Sequence, residues 1–385
     1  MLGRQKKGKP LIGLDFGSNG VRALQMARDG DRWVAVDAGW RALPARTLDD
    51  ADRSDAQCEA VLSLLKEGSF VGRRVVSSLP THAVQYNNLR LPSMPPPELQ
   101  AAVEFEASDR LQLGFEHQIQ YYDAGEVRQG DSTRQEVILV AALNEQIAQH
   151  MAVLDRCGLD PVAIDAVPGA LARALAGSGS PSSVETKPKV ENETNPAVQF
   201  ILDIGHSTSK VLISMQGRVL FFKTIPIGVH SLDEAAADKL NVSIVDAAEL
   251  RRQRVMAGAE SDAAVVGVSR RENIDGALSN VHRPLLSDLA REIGLCLRYY
   301  SVTFRGNRPE SLIVSGGGCD DSLVSEVIST ESQIRVSEGD VYHHLDFSNL
   351  QTKLVTDTPK GAWAVSAGLS MRTEIGKGTN AKGAA

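Results

Sequence analysis

The sequence has few cysteines and no spaced metal-ligand motif, which limits the chemistry open to it. Its four cysteines lie far apart without a C-x-x-C pair, and no H-E-x-x-H motif is present. Structural zinc sites and dithiol redox motifs require such spacings. We therefore expect free thiols in a reducing compartment, and no metal or redox chemistry based on these residues.

Long apolar runs and an excess of basic charge are also missing. The longest apolar run, residues 137–143, is far shorter than the roughly 20 residues of a membrane-spanning helix. The net charge is −7, so no global basic field favours nucleic acid. A secretion signal has an apolar stretch after its positive charges, and no such stretch follows the positive charges near Met1. We expect a cytoplasmic protein that does not bind nucleic acid.

What the sequence does contain is an internal repeat. Residues 14–17 (Leu-Asp-Phe-Gly) align without a gap on residues 202–205 (Leu-Asp-Ile-Gly), and the alignment places Arg22 on Lys210. Each copy continues into apolar segments separated by a polar turn, the pattern of a β-meander. Because the acid, the glycine and the basic residue all fall in register, the repeat predicts two similar lobes.

Three glycine turns form the candidate site. Two of them end the repeated strands at residues 15–20 and 203–209, and a triple glycine follows a Val/Ile strand at residues 316–318. Glycines let backbone N–H groups approach phosphate oxygens, and hydroxyl groups add further donors. The candidate phosphate contacts are Gly17, Ser18, Asn19, Gly20, Gly205, His206, Ser207, Thr208, Ser209, Gly316, Gly317 and Gly318.

Four charged side chains accompany the first two turns. Two hairpins facing one another would hold a phosphate chain from both sides, with Arg22 and Lys210 neutralising its charge. Asp15 and Asp203 would point into the cleft and hold Mg²⁺ through water, because Mg²⁺ keeps much of its hydration shell. A single turn of this kind is usually structural, so the prediction rests on the set of three.

The three turns resemble the phosphate 1, phosphate 2 and adenosine motifs of the actin, chaperone and sugar-kinase superfamily. Residues 164–174 and 361–369 are similar to its two connecting helices, with small residues where the helices cross. The resemblance implies an α/β protein of the actin-like fold, with duplicated ribonuclease H-like lobes that bind ATP and Mg²⁺ between them.

This superfamily also places a helix against the ribose and base. Here a capping box at residues 243–246 opens a helix that carries Glu249 and Arg252, which the resemblance makes candidate nucleotide contacts. The alternative is that both belong to an ordinary solvated helix face.

Residues 75–163 indicate which branch of the superfamily the chain resembles. They are predicted to form an inserted α/β module similar to the extra subdomain of the FtsA and PilM families. Residues 89–99 and 157–165 are similar to the PilM family of type IV pilus assembly proteins in particular. An FtsA-like tail would carry an amphipathic membrane helix, whereas residues 376–385 have no apolar face.

The resemblance to the PilM family implies a cytoplasmic ATP-binding scaffold at the inner face of the membrane, among other pilus assembly components. It would hold the cytosolic N-terminal peptide of a PilN-like membrane protein in a groove between the module and the first lobe, with nucleotide as regulator. The candidate groove residues are Leu89, Leu91, Leu99, Val103 and Phe105, whose alternative role is the core of the module.

A small-molecule kinase and an FtsA-like cell-division protein remain alternatives. A kinase needs a carboxylate base beside the acceptor hydroxyl. Val167 precedes Pro168 where the chaperone-like motif has a glutamate, and Asp165 is displaced by two positions. We therefore expect at most weak ATP hydrolysis.

These patterns together predict the domain organisation of the chain. The predicted parts are a first lobe at residues 9–74, the inserted module at 75–163, a connecting helix at 164–176, a disordered linker rich in Pro, Ser and Gly at 177–197, a second lobe at 198–360, and a second connecting helix at 361–375.

Overall fold

The computed structural model has two lobes, an inserted module and two helices that connect the lobes. It describes residues 9–30, 32–44, 50–176, 198–259, 268–305, 308–338, 345–348, 350 and 358–372. The predicted linker at residues 177–197 and the tail at 376–385 lie outside the described residues. Within those residues, no helix combines the length and apolar character needed to cross a membrane.

The strands and helices follow one another as the repeat predicts. In chain order the strands are β1 (Ile12–Phe16), β2 (Gly20–Asp29), β3 (Arg32–Ala42), β4 (Arg74–Ser78), β5 (Gln85–Pro92), β6 (His117–Gln129), β7 (Ser132–Leu143), β8 (Asp160–Asp165), β9 (Val198–Ile204), β10 (Ser209–Met215), β11 (Arg218–Ile225), β12 (Ser311–Ser315), β13 (Arg335–Glu338) and β14 (Leu345–Asp346). The helices are α1 (Asp50–Glu67), α2 (Pro96–Leu111), α3 (Asn144–Arg156), α4 (Val167–Ala174), α5 (Val229–Leu240), α6 (Ile244–Ala259), α7 (Val268–Phe304), α8 (Ser322–Ser332) and α9 (Ala364–Ser370).

The two lobes are built on sheets that share one order of five strands, to which the first sheet adds β14 beside β3. The first sheet runs β14-β3-β2-β1-β4-β8, and the second runs β11-β10-β9-β12-β13. In each sheet, the first strand of an antiparallel meander also pairs, along its other edge, with a parallel strand: β1 with β4, and β9 with β12. Asp15 is paired with Arg22 across β1 and β2, and Asp203 with Lys210 across β9 and β10. The predicted repeat is confirmed, because the acid and base pairs occupy equivalent positions.

The inserted module is a separate three-stranded sheet, β5-β7-β6, with α2 packed on it. Four candidate groove residues, Leu89, Leu91, Leu99 and Val103, are 8% exposed or less and form its core. For these four residues the alternative role, the core of the module, is the one observed, because burying them joins α2 to the sheet. Phe105 differs from them, since 66% of its surface is exposed.

The flanking parts of residues 75–163 lie in the first lobe. Strands β4 and β8 pair with one another beside β1, and α3 packs on α1 and β8. The sheet of the module is thus confined to residues 85–143.

The two connecting helices, α4 and α9, cross where both carry small residues. A Cβ at Gly368 would lie 1.9 Å from the Ala170 carbonyl oxygen, so only glycine allows this approach. The prediction of small residues at the crossing is confirmed. The predicted start of the first helix was too early, because Ile164 and Asp165 complete β8 and the helix begins at Val167 with Pro168 in its first turn.

One core cluster passes through these helices and joins the lobes. It runs from Leu24 of the first sheet through Leu171 of α4 and Trp363 to Leu212 and Phe222 of the second sheet. All five are less than 2% exposed. Since this apolar surface is shared by both lobes, its burial favours their association.

Candidate functional site

The second lobe places an acid, a base and a hydroxyl at the end of its central strands. Lys210 Nζ lies 3.0 Å from Asp203 Oδ2, and the Ser315 hydroxyl donates to Asp203 Oδ1 at 3.3 Å. All three residues are buried, at 8% exposure or less. The register explains the grouping, because Asp203 is paired with Lys210 on one side and with Ser315 on the other.

The first lobe repeats this arrangement with Asp15, Arg22 and Ser78. Asp15 is paired with Arg22 in β2 and with Ser78 in β4, and the Ser78 hydroxyl donates to Asp15 Oδ1 at 3.4 Å. The Arg22 guanidinium lies over the Trp40 ring, 5.9 Å from its centroid. We call these two sets, one in each lobe, the acid–base–serine triads.

The sequence analysis did not identify the two serines of the triads. Ser78 and Ser315 each end an apolar strand, but one is followed by Leu79-Pro80 and the other by a triple glycine, so the following turns differ. Extending the repeat from the first meander to the next parallel strand would have aligned them.

The charges of the two triads act on one another across the cleft. Burial raises the pKa of Asp15, the nearby Arg22 and Lys210 oppose that rise, and Asp203 adds to it. Burial also lowers the pKa of Arg22, which Asp15 and Asp203 counteract. Each triad thus lies within electrostatic reach of the other, as the prediction of facing hairpins requires.

The tips of the two hairpins are in direct contact. The Ser207 hydroxyl of the second turn donates to the Ser18 hydroxyl of the first at 2.9 Å. Both serines are exposed, so their hydroxyl groups are accessible to a ligand.

The triple-glycine turn packs against the second hairpin and approaches the first. The Gly318 N–H donates to the Ile204 carbonyl at 3.2 Å. Gly316 has a φ of +89°, and a Cβ there would lie 2.4 Å from Ile204 O. A Cβ on Gly317 would lie 4.0 Å from Arg22 Nη2, so this turn is close to both lobes.

Several turn residues have roles within the hairpins themselves. The Gly205 N–H donates to Thr208 O at 3.0 Å, and the buried Ser209 hydroxyl donates to Ile227 O at 2.6 Å. In the first hairpin, Asn19 O accepts from Leu43 N at 2.9 Å. These bonds fix the shape of the turns, and they leave Ser18 and Ser207 as the more accessible hydroxyl groups.

Close contacts explain three glycines of the first and second turns. A Cβ at Gly20 would lie 2.4 Å from Trp40 Nε1, and one at Gly17 would lie 3.0 Å from Gly20 O. A Cβ at Gly205 would lie 2.8 Å from Thr208 O and 3.4 Å from Lys210 Nζ.

Glu249 and Arg252 are not brought to the turns by any described contact. They form an ion pair with one another at 2.8 Å on α6, with side chains that are 50% and 60% exposed. The helix begins after Ser243, whose hydroxyl accepts from Asp246 N at 3.1 Å. In a capping box the Asp246 carboxylate would accept from the backbone N–H of Ser243. Here it accepts from the Ser243 hydroxyl instead.

Neighbouring arginines of α6 make the buried contacts. Arg251 Nε lies 2.7 Å from Asp233 of α5, and Arg254 is paired with Asp321, which caps α8 by accepting from Leu323 N. The first pair holds α6 against α5, and the second holds it against α8, the helix that follows the triple glycine. A cavity of about 10 Å³, the size of one water, lies beside Arg251 and Asp321.

Asp165, the nearest acidic residue to the position of a catalytic base, is engaged in the fold. It is paired with Arg173, with Arg372 at 2.8 Å, and it accepts from Ala166 N at 2.8 Å. Its side chain is only 7% exposed. With two arginines on its carboxylate, Asp165 serves to join β8 to α4 and to the end of α9.

The acidic groups of the cleft suit a hydrated cation better than a directly coordinated one. Among the described residues, no group of three or more His, Cys, Asp or Glu side chains has the arrangement of a metal site. Asp15 and Asp203 are two carboxylates on facing strands, and each already accepts a serine hydroxyl. Two carboxylates of this kind would hold Mg²⁺ through the waters that it keeps.

Comparison with known proteins identifies relatives of the whole chain. The family model described as Type IV pilus assembly protein PilM matches residues 13–374. The chain is similar to a solved structure described as the PilM-PilN type IV pilus biogenesis complex, with a TM-score of 0.72 and 19% identity over 94% of this chain and 97% of that one. It is also similar to the ethanolamine utilization protein EutJ from Carboxydothermus hydrogenoformans, with a TM-score of 0.52 and 13% identity over 94% of this chain and 89% of that one. These structural likenesses show a shared actin-like fold.

Proposed function

The chain belongs to the PilM family of type IV pilus assembly proteins, and from this we propose that it is an ATP-binding scaffold of the pilus assembly platform. The observation that carries the nucleotide part of the proposal is the pair of acid–base–serine triads facing one another across the cleft. The scaffold would be cytoplasmic and would reach the inner membrane through a membrane-protein partner.

The phosphate chain of ATP would bind against the two hairpin tips, where its oxygens would replace the Ser207–Ser18 hydrogen bond. Lys210 and Arg22 would neutralise its charge, and the accessible hydroxyl groups of Ser18 and Ser207 would donate to its oxygens. When bound, Mg²⁺ would reduce the repulsion between the phosphates and the acidic side chains. The backbone of residues 316–318 would approach the nucleoside from the second lobe.

Nucleotide would act as a regulator in this proposal, with at most slow hydrolysis. Hydrolysis or phosphoryl transfer needs a residue that orients water or accepts a proton. The carboxylate of Asp165 is already engaged by Arg173 and Arg372 within the fold. No specific observation favours the kinase alternative.

The partner peptide would bind where the module joins the first lobe. Phe115, in the loop after α2, is 99% exposed, and Leu143 and Met151 are 38% and 37% exposed. Leu143 ends β7 directly before α3, and Met151 lies within α3. The Asn144 side chain donates to Phe115 O at 3.1 Å, which places the loop beside the start of α3.

We expect this exposed apolar surface to receive the N-terminal cytosolic peptide of a PilN-like membrane protein. The similar solved structure is a PilM-PilN complex, which supports a PilN-like protein as the partner. Large apolar side chains on the surface are the usual anchors of such interfaces.

The proposal is tested by titrating the PilN-like peptide into the Phe115→Ser variant in a calorimeter. We expect the variant to bind about tenfold more weakly or worse, because an anchor side chain is removed. Its thermal stability should be unchanged, since Phe115 is fully exposed.

The matched control is Val302→Ser, which removes an apolar side chain that is 71% exposed on α7 of the second lobe. This variant should bind the peptide as the unmodified protein does. Equal affinity of Phe115→Ser and the unmodified protein would contradict the proposed peptide site.

A further inference from the structure

Two histidine rings lie against one another beside the second hairpin, and only one of them belongs to the predicted phosphate turn. The His206 and His230 ring centroids are 4.9 Å apart, with 37° between the ring planes. His206 directly follows Gly205, and His230 is the second residue of α5. Both rings are only partly buried, so solvent and ligands have access to them.

The backbone fixes this pair firmly against the turn. The His230 N–H donates to His206 O at 2.8 Å, and the Val229 N–H donates to Gly205 O at 3.0 Å. A Cβ at Gly228 would lie 2.4 Å from His206 O, so glycine allows the start of α5 to approach this closely. The His230 ring therefore stays beside the phosphate turn although it lies 24 residues further along the chain.

From this arrangement we infer that His206 and His230 form a proton-linked binding site for the phosphate chain of the nucleotide. The inference rests on the proposed nucleotide-binding function and adds His230 to its site. Imidazolium is a good partner for phosphate oxygens, because its N–H groups donate charge-assisted hydrogen bonds.

The charges around the pair determine its protonation without ligand. Burial lowers the pKa of His206, followed by the effect of His230, and Arg251 also lowers it, while Asp233 and Glu234 oppose these effects. Glu234 Oε1 lies 3.4 Å from His230 Nε2. These effects together favour the neutral form of the His206 ring in the free protein, and an incoming phosphate supplies the negative charge that favours its protonation.

This protonation determines how the affinity for phosphate changes with pH. If phosphate binding raises the pKa of His206, binding takes up protons and the affinity rises as the pH falls. One fully linked proton changes the affinity by about tenfold per pH unit. The effect should extend to inorganic tripolyphosphate, because it depends on phosphate and not on the base.

The test is to titrate Mg·ATP and tripolyphosphate at pH 7.5 and pH 6.0 into the full chain and the His206→Gln/His230→Gln variant. Protonation of the ligand itself affects both proteins equally. We expect the unmodified protein to gain several-fold more affinity than the variant between these pH values. At pH 7.0, titrations in buffers of different ionisation enthalpy should show smaller proton uptake by the variant.

His117→Gln is the matched control, because His117 is paired with Glu116 on the inserted module, far along the chain from the turn. It should keep the pH dependence of the unmodified protein. The same pH dependence in the double variant and the unmodified protein would overturn the inference and leave nucleotide binding intact. Absence of nucleotide binding at both pH values would instead overturn the proposed function.

Discussion

At the scale of single residues, the site depends on one pattern used twice. An acid at the end of a central strand is paired with a base on the antiparallel neighbour and a serine on the parallel neighbour. Because strand register fixes all three positions, the site is built into both sheets. A ligand that contacts both triads must therefore span the two lobes.

Replacing Lys210 by Met tests the second triad. Lys210 neutralises Asp203 at 3.0 Å and is expected to neutralise phosphate charge as well. We expect ATP affinity to fall by about ten- to a hundredfold, since a hydrogen bond to a charged group contributes about 1.5–3 kcal/mol. The measurement is calorimetric titration of Mg·ATP.

Lys223→Met is the control for this substitution. Lys223 lies on β11 of the same meander, but it is paired with Glu292 of α7 at 2.6 Å. Its loss should leave ATP affinity unchanged. A comparable loss in both variants would mean that the effect comes from the meander as a whole and not from the triad.

Two buried histidines outside the cleft make the fold sensitive to acid. Burial lowers the pKa of His150 and of His282 to about 4. The unfolded chain takes up these protons near pH 6.5, whereas the folded protein takes them up only near pH 4. The contribution of the two neutral histidines to the free energy of unfolding is therefore fully present above pH 6.5 and is lost as the pH falls towards 4. Each histidine accounts for up to about 3 kcal/mol.

Urea unfolding between pH 7.5 and pH 4.5 measures this loss. His150→Gln keeps a polar group near Ser77, the hydrogen-bond partner of the histidine at 2.8 Å, but it does not titrate. We expect the stability of this variant to fall less steeply with acid than that of the unmodified protein. Parallel curves would show that His150 does not carry the effect.

The acids and bases of the site were predicted from the sequence, whereas the triad serines Ser78 and Ser315 and the surroundings of α6 were not. Asp15, Arg22, Asp203 and Lys210 fall within a gapless repeat, so the alignment alone pairs them. The position of Glu249 depends on how α6 packs, and that is decided by Arg251 and Arg254, which follow it on the helix and make the buried ion pairs. A charged run such as Glu249-Leu250-Arg251-Arg252 does not reveal which member will be buried.

At the scale of elements, the crossing of α4 and α9 determines how the lobes are joined. Gly368 meets the Ala170 backbone, and Arg173 Nε donates to Gly368 O at 2.9 Å. Small residues at a crossing let two helices approach closely and bury their shared apolar surface. The sequence predicted this contact because glycine and alanine occur together in both segments.

Gly368→Val should destabilise the protein by separating the two helices. A side chain there meets backbone that cannot move aside, and overpacking of a core typically costs about 1–3 kcal/mol. The free energy of unfolding in urea measures the effect.

Gly294→Ala is the matched control, because a Cβ at Gly294 of α7 meets nothing within 4 Å. Alanine there should preserve or raise stability by up to about 1 kcal/mol, since it favours the helix. Equal destabilisation by both substitutions would contradict the role of the crossing.

The groove residues show where sequence reasoning fails at this scale. Leu91 and Val103 are apolar residues of a strand and a helix, and periodicity alone does not distinguish a core position from a peptide contact. The structure buries both, and it instead exposes Phe115, which lies in a loop with no periodic signal. Loop residues therefore had to be located by the structure.

At the scale of the whole molecule, the inserted module contacts both lobes. It continues into α3 of the first lobe, and it meets the second lobe through a polar group of residues. Arg90 and Glu136 are paired within the module, the Tyr299 hydroxyl donates to Glu136 Oε2 at 3.0 Å, and Arg90 Nη2 donates to Thr303 Oγ1 at 3.2 Å. Movement of the second lobe on nucleotide binding would therefore act on the module directly.

This contact gives the proposed regulation a structural basis. Nucleotide would favour the arrangement in which both triads contact phosphate, and that arrangement sets the position of the second lobe against the module. By linkage, a peptide that prefers one arrangement must change nucleotide affinity by the same factor.

The central claim is tested most directly by calorimetric titration of the PilN-like N-terminal peptide with and without Mg·ATP. We predict binding in both states, with an affinity that ATP changes by about fivefold or more. In Lys210→Met, peptide affinity without nucleotide should be normal and the effect of ATP at the same concentration should be reduced. Failure of the peptide to bind in either state would contradict the scaffold function, and binding that ATP leaves unchanged would contradict its regulation by nucleotide.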